Sequence, residues 1–387
     1  MRSIEKNIKV DILYRIFSNL DFTSAIWVLY LSSKGISLVK IGILESIFHI
    51  TSFICETPTG AIADLLGRRN TLVMGRLMAF ISSIIMLVSN SFLGFALGFV
   101  FSALSFNLNS GSEEALIYDT LKELGKEKEY SSIISKLNVV IEVASGIAVF
   151  IGGVLSEKSF VISYVIAALI SLTALNVALL FKEPKYKCDE KVNIKKHFKE
   201  SYFIIKDDSK IKFILFFFPL VDTFTAMLYF YGQKFFEVKG FSITVIAIIF
   251  VIKSICSTLG NLMFVKIKKI LKARTIFIMI SCISTCLILV GFLDNKFSVI
   301  LFVIVGFFDA ILYVISSTLL NKEIPSEQRA TLISVDSMSY SAFMIILFPL
   351  AGYLGEKISL SNIFIILGIV LFVINIININ NINKFKI

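Results

Sequence analysis

Long apolar runs constrain this chain more than any other feature. Stretches of about 20 mostly apolar residues, the length that crosses about 30 Å of hydrocarbon, recur from end to end with no soluble domain between them. Of the 387 residues, 56% are hydrophobic and only 17% charged, with a mean hydropathy of +0.85. A soluble domain carries about 25% charged residues. A fold this apolar would expose large greasy patches in water, so a bilayer is its expected solvent.

Twelve spans are expected, at about 11–33, 38–63, 71–89, 92–120, 132–155, 160–181, 210–236, 242–265, 274–293, 297–321, 332–355 and 360–380. Most alternate with brief polar turns such as SNS (89–91), DNK (294–296) and SLS (359–361). The long hydrophilic break is 182–209, between spans six and seven. The chain thus divides into a half at 1–181, a linker at 182–209 and a second half at 210–387. Within the linker Ile194, Phe198, Tyr202 and Ile205 recur at helical spacing, which fits either a helix lying on the membrane surface or a solvated connection.

Basic residues set the orientation. With a cytoplasmic N-terminus, 28 of the 38 Lys and Arg fall on the inner side and seven in outer loops. Positive charge concentrates on the cytoplasmic side, so both termini are expected there. This distribution also accounts for the net charge of +10 without nucleic acid, since the excess faces an anionic leaflet. The first apolar run is long, holds Asp21 and lacks a small-residue cleavage pattern, so it reads as a span and not as a signal peptide. Cys282 and Cys286 lie one turn apart without His or acidic company, so no metal and no cofactor is expected.

The chain repeats itself. SIIS (132–135) is echoed by TLIS (331–334), and GVLSEK (153–158) by GYLGEK (352–357), both at an offset of 199 residues. GISLVKI (35–41) likewise resembles GFSITVI (240–246), just before spans two and eight. Two six-helix halves follow. Six helices apart means the same orientation, and parallel halves are one of the known transporter architectures.

Between spans two and three the sequence reads ETPTGAIADLLGRRN (56–70). Its G-x-x-x-D-x-x-G-R-R pattern, Gly60, Asp64, Gly67, Arg68 and Arg69, resembles the loop signature of the major facilitator superfamily. SGSEEALIYD (110–119), with ETPTG, also resembles bacterial drug-exporter-like members of it. The resemblance implies an all-α polytopic membrane protein of twelve transmembrane helices in two pseudo-symmetric six-helix halves, in a bacterial cytoplasmic membrane. It also implies a conformational latch, with Asp64 facing the start of span eleven near Thr331 and Arg68 or Arg69 pairing with Asp119. On charge distribution alone, the two arginines read equally as ordinary inner-face charges.

Three departures separate this chain from the family's proton-driven exporters. The usual arginine of helix four is absent from FVFSALSFNLNSG (99–111). IEVASGIAVFIGG (141–153) keeps Gly152 and Gly153, but Ala148 and Val149 stand where Gly–Pro is expected. KIKKILKAR (266–274) lacks a second copy of the hairpin motif.

Charged groups inside a bilayer are costly and tend to mark pathways. Asp21 is expected near the middle of helix one, Asp222 at the matching depth of helix seven, Asp309 midway along helix ten, and Glu113 and Glu114 in helix four. Each reads as a proton or cation binder, or as a paired structural group. Glu45 and His49, one turn apart on helix two, share a proton or make a helix contact. Arg15 and Asp11 are one turn apart near the inner mouth. Tyr229 shares a stripe with Asp222, and Tyr313 with Asp309.

Such a pocket suits a small amphipathic or cationic molecule. No phosphate loop or H-E-x-x-H motif is present, so an enzyme is not expected. The expected function is proton-coupled efflux of an amphipathic compound by a monomeric secondary transporter. Uptake of a small polar nutrient is the alternative.

Overall fold

Serines and glycines set where many of the helices begin. The turn serines Ser91 and Ser359 are N-caps, accepting the N–H of Gly94 and Asn362 respectively. Asp208 caps its helix by accepting the N–H of Lys210 and Ile211. Gly67, at φ 88°, opens the helix after the hairpin in a conformation that side chains rarely adopt. The structure, a computed structural model, describes residues 4–185, 203–293, 297–324 and 329–384.

The first set of helices is α1 (Lys6–Asn19), α2 (Trp27–Ser33), α3 (Leu38–Leu66), α4 (Arg68–Val88), α5 (Phe92–Asn109), α6 (Ser112–Glu123), α7 (Tyr130–Lys158) and α8 (Phe160–Leu179). The second set is α9 (Ser209–Val238), α10 (Ile243–Leu271), α11 (Thr275–Phe292), α12 (Phe297–Glu323), α13 (Arg329–Ile358), α14 (Leu360–Ile377) and α15 (Ile379–Lys384). Among the described residues, 11 helical segments are long and apolar enough to cross a membrane, and they correspond to the second to twelfth expected spans.

The first expected span differs from its expectation. Residues 11–33 do not form one helix: α1 ends at Asn19 and α2 starts at Trp27. Asp21 is therefore not in mid-helix. It is exposed, and its carboxylate accepts the backbone N–H and the hydroxyl of Thr23 at 2.8 and 2.7 Å. This local turn competes with helix formation for the same backbone groups. Span four is also divided, because Ser110 and Gly111, the latter at φ 71°, end α5 and begin α6.

The chain separates into two compact units, residues 1–36 with 44–190, and residues 37–43 with 191–387. The first turns of α3 thus belong to the second unit. There Glu356 accepts the Val39 N–H at 2.9 Å, and Gly42 lies against the Pro349 backbone, leaving no room for a Cβ. In the first unit the core gathers Tyr14, Leu72, Leu116, Ile117, Leu121, Val177 and Phe181 from α1, α4, α6 and the end of α8. In the second unit aromatic rings do much of the packing: Tyr231 stacks on Phe348 at 4.5 Å, and Phe236 meets Phe302 edge-on at 5.1 Å. The packing repeats across the halves, α4 on α8 in the first and α11 on α14 in the second. Meanwhile Leu262 and Val265 are 76% and 73% exposed, as side chains facing lipid are.

Candidate functional site

A buried polar helix face needs partners, and α1 buries Asn7, Asp11, Tyr14 and Arg15. Their partners form a network inside the first unit. Arg15 Nε reaches Asp11 Oδ2 at 2.9 Å, and one terminal nitrogen reaches Glu113 Oε1 at 3.0 Å. Glu113 stands in the first turn of α6, where the helix dipole favours an anion. The Tyr14 hydroxyl accepts from Arg76 Nε at 2.9 Å and donates to Asn109 Oδ1 at 2.7 Å. Asn7 donates to Thr120 Oγ1 at 3.0 Å and to the Lys182 carbonyl at 2.8 Å, tying α1 to α6 and to the chain beyond α8. One oxygen of Asp11 and one nitrogen of Arg15 are buried without a hydrogen-bond partner among the described residues.

Beside this network, His49 Nε2 lies 3.5 Å from Glu45 Oε1, so the expected pair meets. Ser52 and Asn107 bind each other twice, at 2.7 and 2.6 Å, joining α3 to α5.

The hairpin between α3 and α4 is built around a residue the motif does not contain. Glu183, just beyond α8, accepts the backbone N–H of Arg68 at 2.7 Å and of Arg69 at 2.8 Å. An anion thereby caps the N-terminus of α4. A Cβ at Gly67 would fall within 2.6 Å of that carboxylate, so the glycine supplies both its φ and the space. Arg69 also donates to the Leu179 carbonyl at 3.0 Å. Arg68 and Lys122 are the positive charges facing Asp119, and Glu183 the negative one. Gly60 and Asp64 fall within α3, and the Asp64 side chain lies outside the described residues.

The second unit gathers a different cluster. Asp222 on α9, Asp309 on α12 and Asp336 on α13 are half-buried, and Asp222 faces the charges of the other two. Lys253 on α10 is the positive charge facing Asp309, and the Thr225 hydroxyl is in hydrogen-bonding reach of that carboxylate. Lys253 Nζ sits 5.2 Å from the centre of the Tyr229 ring, and Phe250 meets that ring edge-on at 4.7 Å. Gly306 makes the approach of α10 to α12 close, since a Cβ there would strike the Lys253 backbone and stem. Asp222, Asp309 and Tyr229 are thus brought together, whereas Tyr313 is 68% exposed. Glu114 is exposed as well, in contrast to Glu113.

Sequence reasoning missed Arg76, Tyr14, Asn109, Glu183, Lys253 and Asp336. Arg76 and Lys253 carried a readable signal, since a basic residue inside an apolar run is as costly as an acidic one.

The family model for the Major Facilitator Superfamily matches residues 13–296 and again 215–379. The "uncharacterized MFS-type transporter YxaM" of Bacillus subtilis (strain 168) is 24% identical over 367 residues, covering 90% of this chain and 89% of that protein. The inner membrane transport protein YajR of Escherichia coli (strain K12) is 26% identical over 125 residues, covering 32% of this chain and 26% of its own. Among solved structures, the nucleoside transporter NupG superposes with a TM-score of 0.79 at 16% identity, covering 100% of both chains. That similarity shows the fold alone. The family match, together with the apolar helices, carries the conclusion: the chain is a multi-pass integral membrane protein and belongs to the Major Facilitator Superfamily of transporters.

Proposed function

We propose that this transporter is a proton-coupled secondary carrier that exports a small amphipathic cation by alternating access, working as a monomer with both termini in the cytoplasm. One observation carries the reading: in the second unit Asp222 faces two further carboxylates, Asp309 and Asp336, while the ammonium of Lys253 faces Asp309 alone of the three. Like charges repel strongly in a medium of low dielectric. The cluster therefore lacks positive charge, and either a proton or a cationic solute supplies it. Both cannot be held with equal ease, and that competition is what couples their movements. Tyr229, held edge-on by the buried Phe250, offers the aromatic face that an amphipathic cation needs.

Export is the direction implied by the resemblance to drug-exporter-like members. In the same reading Gly60, Asp64, Gly67, Arg68, Arg69 and Asp119 form a conformational latch at the cytoplasmic hairpin. Glu45–His49 and the Asp11–Arg15–Glu113 network line the first unit's share of the pathway.

The test is reconstitution into proteoliposomes, with a pH gradient as the sole driving force. Uphill movement of an amphipathic amine against proton flow supports the reading. Movement of a polar nutrient in the same direction as protons would replace it with uptake.

A further inference from the structure

At the start of α9 the second unit holds a cavity of about 670 Å³, a volume within the range of small-molecule sites. Its lining is graded along the helix axis. Ser209, Lys210, Lys212, Asn378 and Asn381 line it at one end of the helices, from α9, the end of α14 and α15. Phe213, Phe216, Phe217, Leu220, Phe343 and Ile374 provide its apolar wall. From Ser209 to Leu220 the α9 side of that wall extends about 16 Å at 1.5 Å per residue.

On α9 the cavity and the carboxylate cluster occupy different faces, while on α13 Phe343 and Asp336 share a face about 10 Å apart along the helix. At about 100° per residue, Leu220 lies about 160° around α9 from Asp222, and Phe213 about 180°. Asp222, Thr225 and Tyr229 occupy the opposite face. A cavity on that outer face, polar at the helix ends and aromatic further in, is matched by a molecule with a polar head and an acyl tail.

We propose that this cavity is a binding site for an anionic phospholipid drawn from the adjoining leaflet. Its headgroup phosphate would rest on Lys212, Ser209 and the asparagines, and one acyl chain on the Phe213–Leu220 wall. Basic pockets between membrane helices hold anionic headgroups in this way. The neighbouring charges define which lysine matters. Lys210 is paired with Glu323 at 2.6 Å, and Asp208 is engaged by the α9 N-terminus. Lys212 is exposed and has no ion pair within 4.0 Å among the described residues.

Native mass spectrometry of the full chain, titrated with phosphatidylglycerol and with phosphatidylcholine of identical acyl chains, tests the assignment. One lysine near a surface contributes about 1 kcal/mol to anionic lipid binding, so the preference for phosphatidylglycerol is about fivefold and Lys212→Gln abolishes it. Leu220→Trp, which fills the apolar wall, weakens both lipids. Equal binding of the two lipids by the parent chain, or an unchanged preference in Lys212→Gln, overturns the headgroup assignment. Because Leu220→Trp alters packing, a photoreactive acyl chain is also crosslinked to the unmodified protein. Labelling within 209–220 and 374–381 is expected. Labelling elsewhere, or displacement by the transported amine, overturns the site.

Discussion

The carboxylate of Glu183 closes on the backbone of Arg68, its Oε1 accepting that residue's N–H at 2.7 Å while Oε2 takes the next one at 2.8 Å. The hairpin is therefore held by a residue more than 110 positions away in sequence. It is a cap on α4 as much as a cluster of charges.

A mutant cycle follows from this contact. Glu183→Ala removes a cap worth about 1 kcal/mol. Gly67→Ala forces a side chain into a conformation that costs about 1–3 kcal/mol and into the space the carboxylate occupies. Part of the second cost depends on Glu183, so the double variant should be more stable in thermal unfolding than the two losses added together. Strict additivity would show that the carboxylate and Gly67 do not compete for space.

How much of this was legible beforehand depends on the length scale of each signal. The apolar spans, the repeat and the hairpin motif are encoded in local runs, and each led to the fold. Glu183 was invisible because its acceptor role depends on the end of α8 returning to the start of α4. Asp21 misled for the opposite reason: hydropathy averaged over a window does not register that one Asp can cap Thr23 and stop a helix. In the sequence Lys253 is one basic residue inside an apolar run. Its role needs Tyr229 and Asp309, on two other helices, to be placed beside it.

The orientation has its own test. Introducing a single cysteine at Lys195, with the native cysteines replaced, should give a protein labelled by impermeant thiol reagents only from the cytoplasmic side. Labelling in intact cells would reverse the topology derived from basic residues.

Arg15 supplies a stability prediction. It engages Asp11 and Glu113 in the first unit, and removing one partner of a buried ion pair costs about 3–5 kcal/mol. Arg15→Met alone should therefore lower the unfolding temperature steeply. Adding Asp11→Asn and Glu113→Gln removes the stranded charges and should recover most of that loss, without recovering transport if the network lines the pathway. Recovery of full transport by the triple variant would assign the network to stability alone.

The last prediction concerns the competition in the second unit. Asp222→Asn should abolish uphill transport under a pH gradient, the solute ratio across the membrane falling to one, while exchange at equal pH survives. Asp21→Asn provides the contrast. Asparagine serves the same local turn at Thr23, so accumulation should persist. Lys253→Met is the more discriminating variant, because it vacates the Tyr229 ring and leaves Asp309 without its ammonium. An amphipathic cation should then bind about tenfold tighter, since the rival cation has been removed from the aromatic face. The same variant should transport it more slowly, because release now has no internal cation to assist it. If Lys253→Met weakens cation binding instead, the lysine contacts the solute directly, and the transported molecule carries an anionic group.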